Sequence, residues 1–336
     1  MNVFELTRAL VDIESISDNE GSVAAYLHDH LATLAARTGG QVERMAVEGD
    51  RFNVLASWGQ AVVTLSTHMD TVPPFFPSRE DAEFIWGRGS CDAKGTIAAM
   101  VMAAEKLLGE SVKNFALLFV VGEERNSAGA LVAAKTPRGS KYLVNGEPTE
   151  SKLVLASKGI LRFEVIARGK MAHSAYPELG ESAIEKLLDV LDAIRRIPLP
   201  ADAQLGASTL NIGTISGGRA PNVIADAAKA EILVRIVGDA APVREAFARA
   251  VGKRAELVEM LCIPTVRFAT VDGLPTSVVS FATDAPLFSK TWGEPLLLGP
   301  GSIRVAHTPE ERISKRELAD AVGMYANVVT KLLAKA

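Results

Sequence analysis

Apolar residues recur at helical spacing in the opening segment MNVFELTRALVDIES and again over residues 21–36, GSVAAYLHDHLATLAA. Each run predicts a helix with one buried face. Residues 52–57 and 61–67 read as strands. The second, AVVTLST, is nearly all apolar and β-rich, which suits a strand covered on both sides of a sheet. Residues 95–108 (GTIAAMVMAAEKLL) predict a helix with small residues on one face, and 115–121 (FALLFVV) a second buried strand. A short helix over 127–134 and a third strand over 141–145 (KYLVN) continue the alternation. Strand following helix in this way specifies an α/β layered domain around a mainly parallel sheet.

The pattern changes near residue 158. Residues 160–168 (ILRFEVIAR) alternate apolar and polar, as a half-exposed antiparallel strand does. A helix is predicted over 181–196, strands over 207–216 and 227–237, and a second helix over 241–258. This order resembles a small α+β sandwich inserted into the larger domain. From about residue 270 short apolar runs return, and the chain closes with a helix over 315–334. The sequence thus divides into a main domain, 1–157 with 270–336, and an inserted domain, 158–269.

A chain of 336 residues is long enough for two such cores. Its 48% hydrophobic and 23% charged content is that of a globular protein, and the net charge of -4 argues against a nucleic-acid or anionic-membrane surface. The start lacks the basic and apolar regions of a secretory signal, and no apolar run is long enough to span a bilayer. Cys91 and Cys262 are far apart, so no disulfide framework is implied and a reducing cytoplasm is the expected setting.

Candidate chemistry gathers at the ends of the predicted strands, where open α/β sheets bind ligands. TLSTHMDTVP places His68 and Asp70 after the second strand. A histidine there can bind zinc through one nitrogen while a carboxylate fixes the other. WGRGSCDAKG places Asp92 in a Gly-rich turn before a helix. Taken alone it is an ordinary helix cap, although its two oxygens could each face one metal ion. FALLFVVGEER ends in adjacent Glu123 and Glu124, an unfavourable pair unless something positive neutralises it. NGEPT supplies Glu147, and LLLGPGSIRVAHTPEE supplies His307 in a late Gly/Pro-rich loop. Each has an unremarkable reading by itself. Together, two imidazoles and three carboxylates form a set suited to zinc, with cobalt or manganese as substitutes.

The stretches STHMDTVP, WGRGSCDAKG, GEERNSAGA, NGEPT, RGKMAHSAYPELGESAI, GGRAPNVIADAA and AHTPEERI, in this order, resemble the M20 metallopeptidase family. That family includes acetylornithine deacetylase, succinyl-diaminopimelate desuccinylase, carboxypeptidase G2 and lysine-biosynthesis deacylases acting on carrier-protein-bound substrates. The resemblance implies a two-zinc amidohydrolase with a ferredoxin-like inserted domain that serves as lid and dimer interface. It assigns His68 and Glu147 to one metal, Glu124 and His307 to the other, and Asp92 to both. Asp70 would orient His68, and Glu123 would be the general acid/base. His173, from the partner of a homodimer, would stabilise the oxyanion. Asn222, Arg235, Gly301 and Ser302 would contact substrate, the arginine gripping its carboxylate. Chain length and the GPG…HTP ending point to an N-acyl-amino-acid deacylase of the acetylornithine/acetyl-lysine type, its substrate free or on a small acidic carrier protein. A dipeptidase or carboxypeptidase is the alternative. A non-catalytic binding module would be expected to lack a ligand or Glu123, and this sequence retains them all.

Overall fold

Asn2 opens the first helix, α1 (Val3–Val11), by capping the amides of Phe4 and Glu5, while Glu5 reaches back to the Asn2 amide. The computed structural model describes Met1–Ala336 throughout. Helix α2 (Gly21–Thr38) ends at Gly39 in the left-handed conformation, φ 72°, which closes its last turn. Strands β1 (Gln41–Glu48), β2 (Arg51–Trp58) and β3 (Val63–His68) follow, then helix α3 (Lys94–Gly109), strand β4 (Phe115–Val120), helix α4 (Ala128–Lys135) and strand β5 (Tyr142–Asn145). Every residue of β3 and β4 is buried, in keeping with their uninterrupted apolar sequence.

Two compact units emerge: Met1–Leu155 with Phe268–Ser277 and Thr283–Ala336, and Ala156–Arg267 with Val278–Ala282. The second is built on β6 (Gly159–Arg168), α5 (Ala183–Arg195), β7 (Thr209–Gly217), β8 (Ala227–Ile236), α6 (Ala241–Val251) and β9 (Glu256–Ile263). Its four strands pair antiparallel in the order β7-β8-β6-β9. Alternate residues of β6 and β8 join α5 and α6 in one core, where the rings of Phe163 and Phe247 lie 5.2 Å apart. The helix expected over 241–258 stops at Val251, because Gly252 turns the chain at φ 53°. Residues 256–263 instead form the edge strand β9, whose mostly exposed side chains leave no alternation to read.

The chain then returns to the first unit with β10 (Glu294–Leu297) and α7 (Lys315–Lys335). Its sheet has the order β1-β2-β4-β3-β5-β10. Strands β4, β3, β5 and β10 run parallel, while β1 and β2 are antiparallel additions at one edge, giving a mixed sheet. Alanines and glycine along α3 let it lie close against the sheet and α7. Register matters most for function. His68 pairs with Val120 and Ser66 with Asn145, so the carboxyl ends of β3, β4 and β5 lie side by side. No helix is long and apolar enough to cross a membrane.

Candidate metal centre

His68 is the last residue of β3, and its ring is held from both sides. Nδ1 lies 3.0 Å from the Asp70 carbonyl and 3.5 Å from the Asp70 carboxylate, so Nε2 is turned toward Asp92 Oδ1 at 3.0 Å. Asp92 does not cap α3. That helix starts at Lys94 with Ala93 as an uncapped N-terminal residue, so the simple cap reading fails. The Asp92 carboxylate instead divides its oxygens: Oδ1 faces His68, and Oδ2 lies 3.4 Å from His307 Nε2. The same His307 nitrogen is 2.8 Å from Glu124 Oε1. One ligand atom each from His68, Asp92 and Glu124 falls within 4.8 Å of the others. Glu147 is buried just beyond β5, with Asn145 donating to its Oε1 at 3.2 Å.

The turns that carry these groups are braced by one another. Asp70 is fully buried and accepts the Glu123 amide on Oδ1 (3.0 Å) and the Glu124 amide on Oδ2 (3.1 Å). It therefore fixes the turn after β4 as well as the ring of His68. His307 sits at φ 62°, a left-handed conformation uncommon for a residue with a side chain. Gly301, on the same loop, is at φ 87°, and a Cβ there would stand 2.5 Å from Cys91 Sγ, so glycine is required. The Ser302 hydroxyl donates to Glu150.

Glu311 was not singled out from sequence, where it is one of two adjacent glutamates in a charged run. It is fully buried, its Oε1 accepting the amides of Gly89 (2.9 Å), Cys91 (3.3 Å) and Asp92 (3.1 Å), and its Oε2 pairing with buried Arg88. It anchors the Asp92 turn to the loop bearing His307. Its one signal in the sequence is position, four residues beyond that histidine. Asp284 was also missed. It is buried with neither oxygen hydrogen-bonded, and burial pushes its carboxyl up to about 6; the Ser127 hydroxyl moderates the shift from nearby without closing a bond.

Burial and the two imidazoles set the electrostatics of the site. Burial, then the charge of Glu147, drives the Glu123 carboxyl well above its ordinary range, and burial does the same to Glu147. Glu124 is also raised by burial, against the pull of His307. Burial opposes the cationic form of His68, yet hydrogen bonds to Asp70 and Asp92 outweigh it and hold the ring well above its ordinary value. His307 is raised to about 10 by Asp92 and Glu124. Asp92 is held below its usual range by the two rings, despite burial. The three glutamates and both imidazoles thus hold their protons more tightly than usual, in a pocket whose carboxylates outnumber its imidazoles. Divalent cations would replace them, and imidazole with carboxylate is a donor set suited to zinc, cobalt or manganese. The residues fit a divalent cation.

The remaining candidates belong to the second unit. His173 lies on the short strand Ala172–His173, paired with Val223–Ile224, and the Asn222 carbonyl accepts the Ser174 amide at 3.0 Å, which brings His173 and Asn222 close together. The Ala175 amide donates to His173 Nδ1 at 3.1 Å. In the neutral ring this leaves the proton on the exposed Nε2. Arg235 is half-buried on β8, forms no ion pair within its own unit, and burial pushes its guanidinium below the ordinary value.

Comparison with known proteins gives this geometry a context. Residues 64–331 match the family described as Peptidase family M20/M25/M40. A peptidase M20 domain-containing protein of Schizosaccharomyces pombe is 38% identical over 338 residues, covering 98% of this chain and 84% of the relative. A probable carboxypeptidase of Aspergillus flavus is 37% identical over 372 residues, covering 97% and 89%. Among solved structures, a Staphylococcus aureus tripeptidase superposes with a TM-score of 0.80 at 20% identity, over 100% of this chain and 98% of that one. A Bacillus subtilis protein described as a dinuclear metal-binding M20 peptidase gives 0.71 at 16%, over 99% and 97%. These structural likenesses establish the fold.

Proposed function

The chain belongs to peptidase family M20/M25/M40, and on that premise we propose that it is a two-metal hydrolase of linear amides that carry a free carboxylate. The observation that carries this reading is the convergence of His68, Asp92, Glu124 and His307, with each Asp92 oxygen turned to a different imidazole. His68 and Glu147 would hold one ion, Glu124 and His307 the other, and Asp92 both. When bound, two zinc ions (or cobalt or manganese in their place) supply Lewis acidity and lower the pKa of water.

The chain's own groups do the rest. Glu123 has no metal to hold in this scheme, and burial raises its carboxyl above the ordinary range, which makes its carboxylate a stronger base for the proton it must accept. It takes the proton of the attacking water as the oxygen bonds to the amide carbon. It then returns that proton to the leaving nitrogen as the carbon–nitrogen bond breaks, giving an acid and an amine. Asp70 keeps His68 and the Glu123–Glu124 turn aligned. His173, supplied by the second copy in a homodimer, offers its Nε2 proton to the oxyanion. Arg235, with no anion of its own unit to neutralise it, would take the substrate carboxylate, and Asn222, Gly301 and Ser302 would make further substrate contacts.

Two substrate classes share this chemistry. Our first reading is an N-acyl amino acid of the acetylornithine or acetyl-lysine type, free or on a small acidic carrier protein. The second, favoured by the names of the A. flavus and S. aureus proteins, is a short peptide. A panel of N-acetyl-ornithine, N-acetyl-lysine, N-acetyl-citrulline, N-succinyl-diaminopimelate and several dipeptides and tripeptides, assayed with added zinc or cobalt, separates them. Preference for the acylated amino acids supports a deacylase, and preference for peptides supports a peptidase. Failure of the metal-loaded protein to turn over any member overturns the hydrolase reading and favours a binding module.

A further inference from the structure

Between α1 and α2 the chain runs through Ser15–Glu20 without regular structure, yet Ser15, Ser17, Asp18 and Glu20 all bond to groups that support the metal centre. The Ser15 hydroxyl donates to the Met69 carbonyl at 2.8 Å, and the Thr71 amide donates to the Ser15 carbonyl at 2.9 Å. The Ser17 amide donates to the Thr71 carbonyl at 3.1 Å, and its hydroxyl donates to Asp70 Oδ2 at 2.7 Å. That last bond is the shortest the Asp70 carboxylate accepts; the Glu123 and Glu124 amides stand at 3.0 and 3.1 Å. Ser17 is also the one side-chain hydroxyl on that carboxylate. The other two donors belong to the turn that Asp70 must hold, so Ser17 supplies the reference from outside it.

A second grip lies beside the first. Asp18 adopts φ 78° and accepts from two guanidinium groups, Arg51 at 3.1 Å and Arg125, the residue next to Glu124. Arg51 is itself buried and bound through two nitrogens to Glu20, at 2.6 and 2.8 Å. Its guanidinium lies against Gly122, where a Cβ would meet it at 2.9 Å. The segment therefore holds the turn after β4 at both ends, through Asp70 in the middle and through Arg51 and Arg125 at Gly122 and beyond Glu124.

We propose that Ser15–Glu20 is a strap that sets the geometry of the metal centre, and that Ser17 is a positioning residue for Asp70 and, through it, for His68, Glu123 and Glu124. The inference rests on the functional reading above. Without the Ser17 hydroxyl, Asp70 is left with the two amides of the turn it must hold, and those amides and the His68 ring lose a reference from outside that turn. Misplacement of groups that must meet a reacting atom is costly to rate even when binding is spared.

The test compares wild type, S17A, S17T, D18N, D70N and the S17A/D70N double variant, each loaded with cobalt. The readouts are kcat and KM on the best substrate of the panel, and the visible absorption of the bound cobalt. S17A is expected to lower kcat about tenfold, with KM changed less than about twofold and an altered cobalt spectrum. S17T is expected to restore kcat to within about twofold of wild type. D18N is expected to lower kcat about threefold. In the D70N background S17A is expected to add nothing, because its effect passes through Asp70. Wild-type kcat in S17A, or an equal loss in both backgrounds, overturns the proposal. Should S17A not fold, wild-type kcat in D18N overturns it. If wild type turns over no substrate, the hydrolase reading fails instead, and an unchanged cobalt spectrum in S17A still overturns the strap.

Discussion

Asp92 shows how much depends on where a single side chain points. In sequence it stands before a helix, where aspartate commonly caps, and nothing local distinguishes the two roles. In the structure α3 begins two residues later, and both Asp92 oxygens are directed at imidazoles. The candidate set of His68, Asp92, Glu124, Glu147 and His307 could be proposed from sequence because each residue follows a strand or lies in a Gly-rich or Gly/Pro-rich loop. Ser17 and Glu311 were not, because each acts on a turn far away in sequence by side-chain hydrogen bonds, which leave no periodic trace. Glu123 carries the sharpest prediction at this scale. Glu123→Gln removes the proton acceptor and keeps the shape, so kcat is expected to fall by roughly 100- to 10,000-fold. Metal analysis of the same sample should show unchanged content, and near-wild-type turnover would remove Glu123 from the mechanism.

At the scale of elements, the buried strands β3 and β4 were readable as unbroken apolar runs, and β6 as a clean alternation. Edge strands were harder. β1 and β9 are mostly exposed, so their side chains answer to solvent rather than to a face, and β9 was read as the tail of a helix. The loops that form the site are joined in ways only the folded chain reveals. Glu311 couples the Asp92 turn to the loop after His307 by taking three amides and the Arg88 guanidinium. Glu311→Ala would strand a buried cation and three buried donors at once. Removing one partner of such a pair costs about 3–5 kcal/mol. Urea denaturation is expected to show a loss of that order, together with weaker metal binding, whereas a loss below about 1 kcal/mol would show that the loops hold without it.

Over the whole molecule, the division into a layered α/β unit and a smaller four-stranded unit follows from the change of pattern near residue 158, where buried runs give way to alternation. How the metal centre shapes stability could not be read from pattern, because it depends on charges brought together from four parts of the chain. Glu123, Glu147, His68 and His307 all have folded pKa values above their unfolded ones. Without metal, these four groups hold more protons in the folded chain than in the unfolded one, and their contribution to stability is lost as pH rises from the carboxylate range toward about 10, the value for His307; Lys94, which burial pushes down to about 7, acts in the opposite direction above that pH. In the proposed scheme, metal ions would take the place of those protons. Thermal scans between about pH 6 and pH 9 are expected to show the gap in Tm between chelator-treated and metal-loaded protein widening. A gap that narrows with pH would contradict the scheme. The most direct test of the central claim is the number of zinc ions bound per chain, measured by calorimetric titration of metal-stripped wild type and Asp92→Ala. The account predicts two ions for wild type and weakened binding of both in the variant, since Asp92 serves each. Fewer than two ions in wild type, or unimpaired binding in Asp92→Ala, would contradict it.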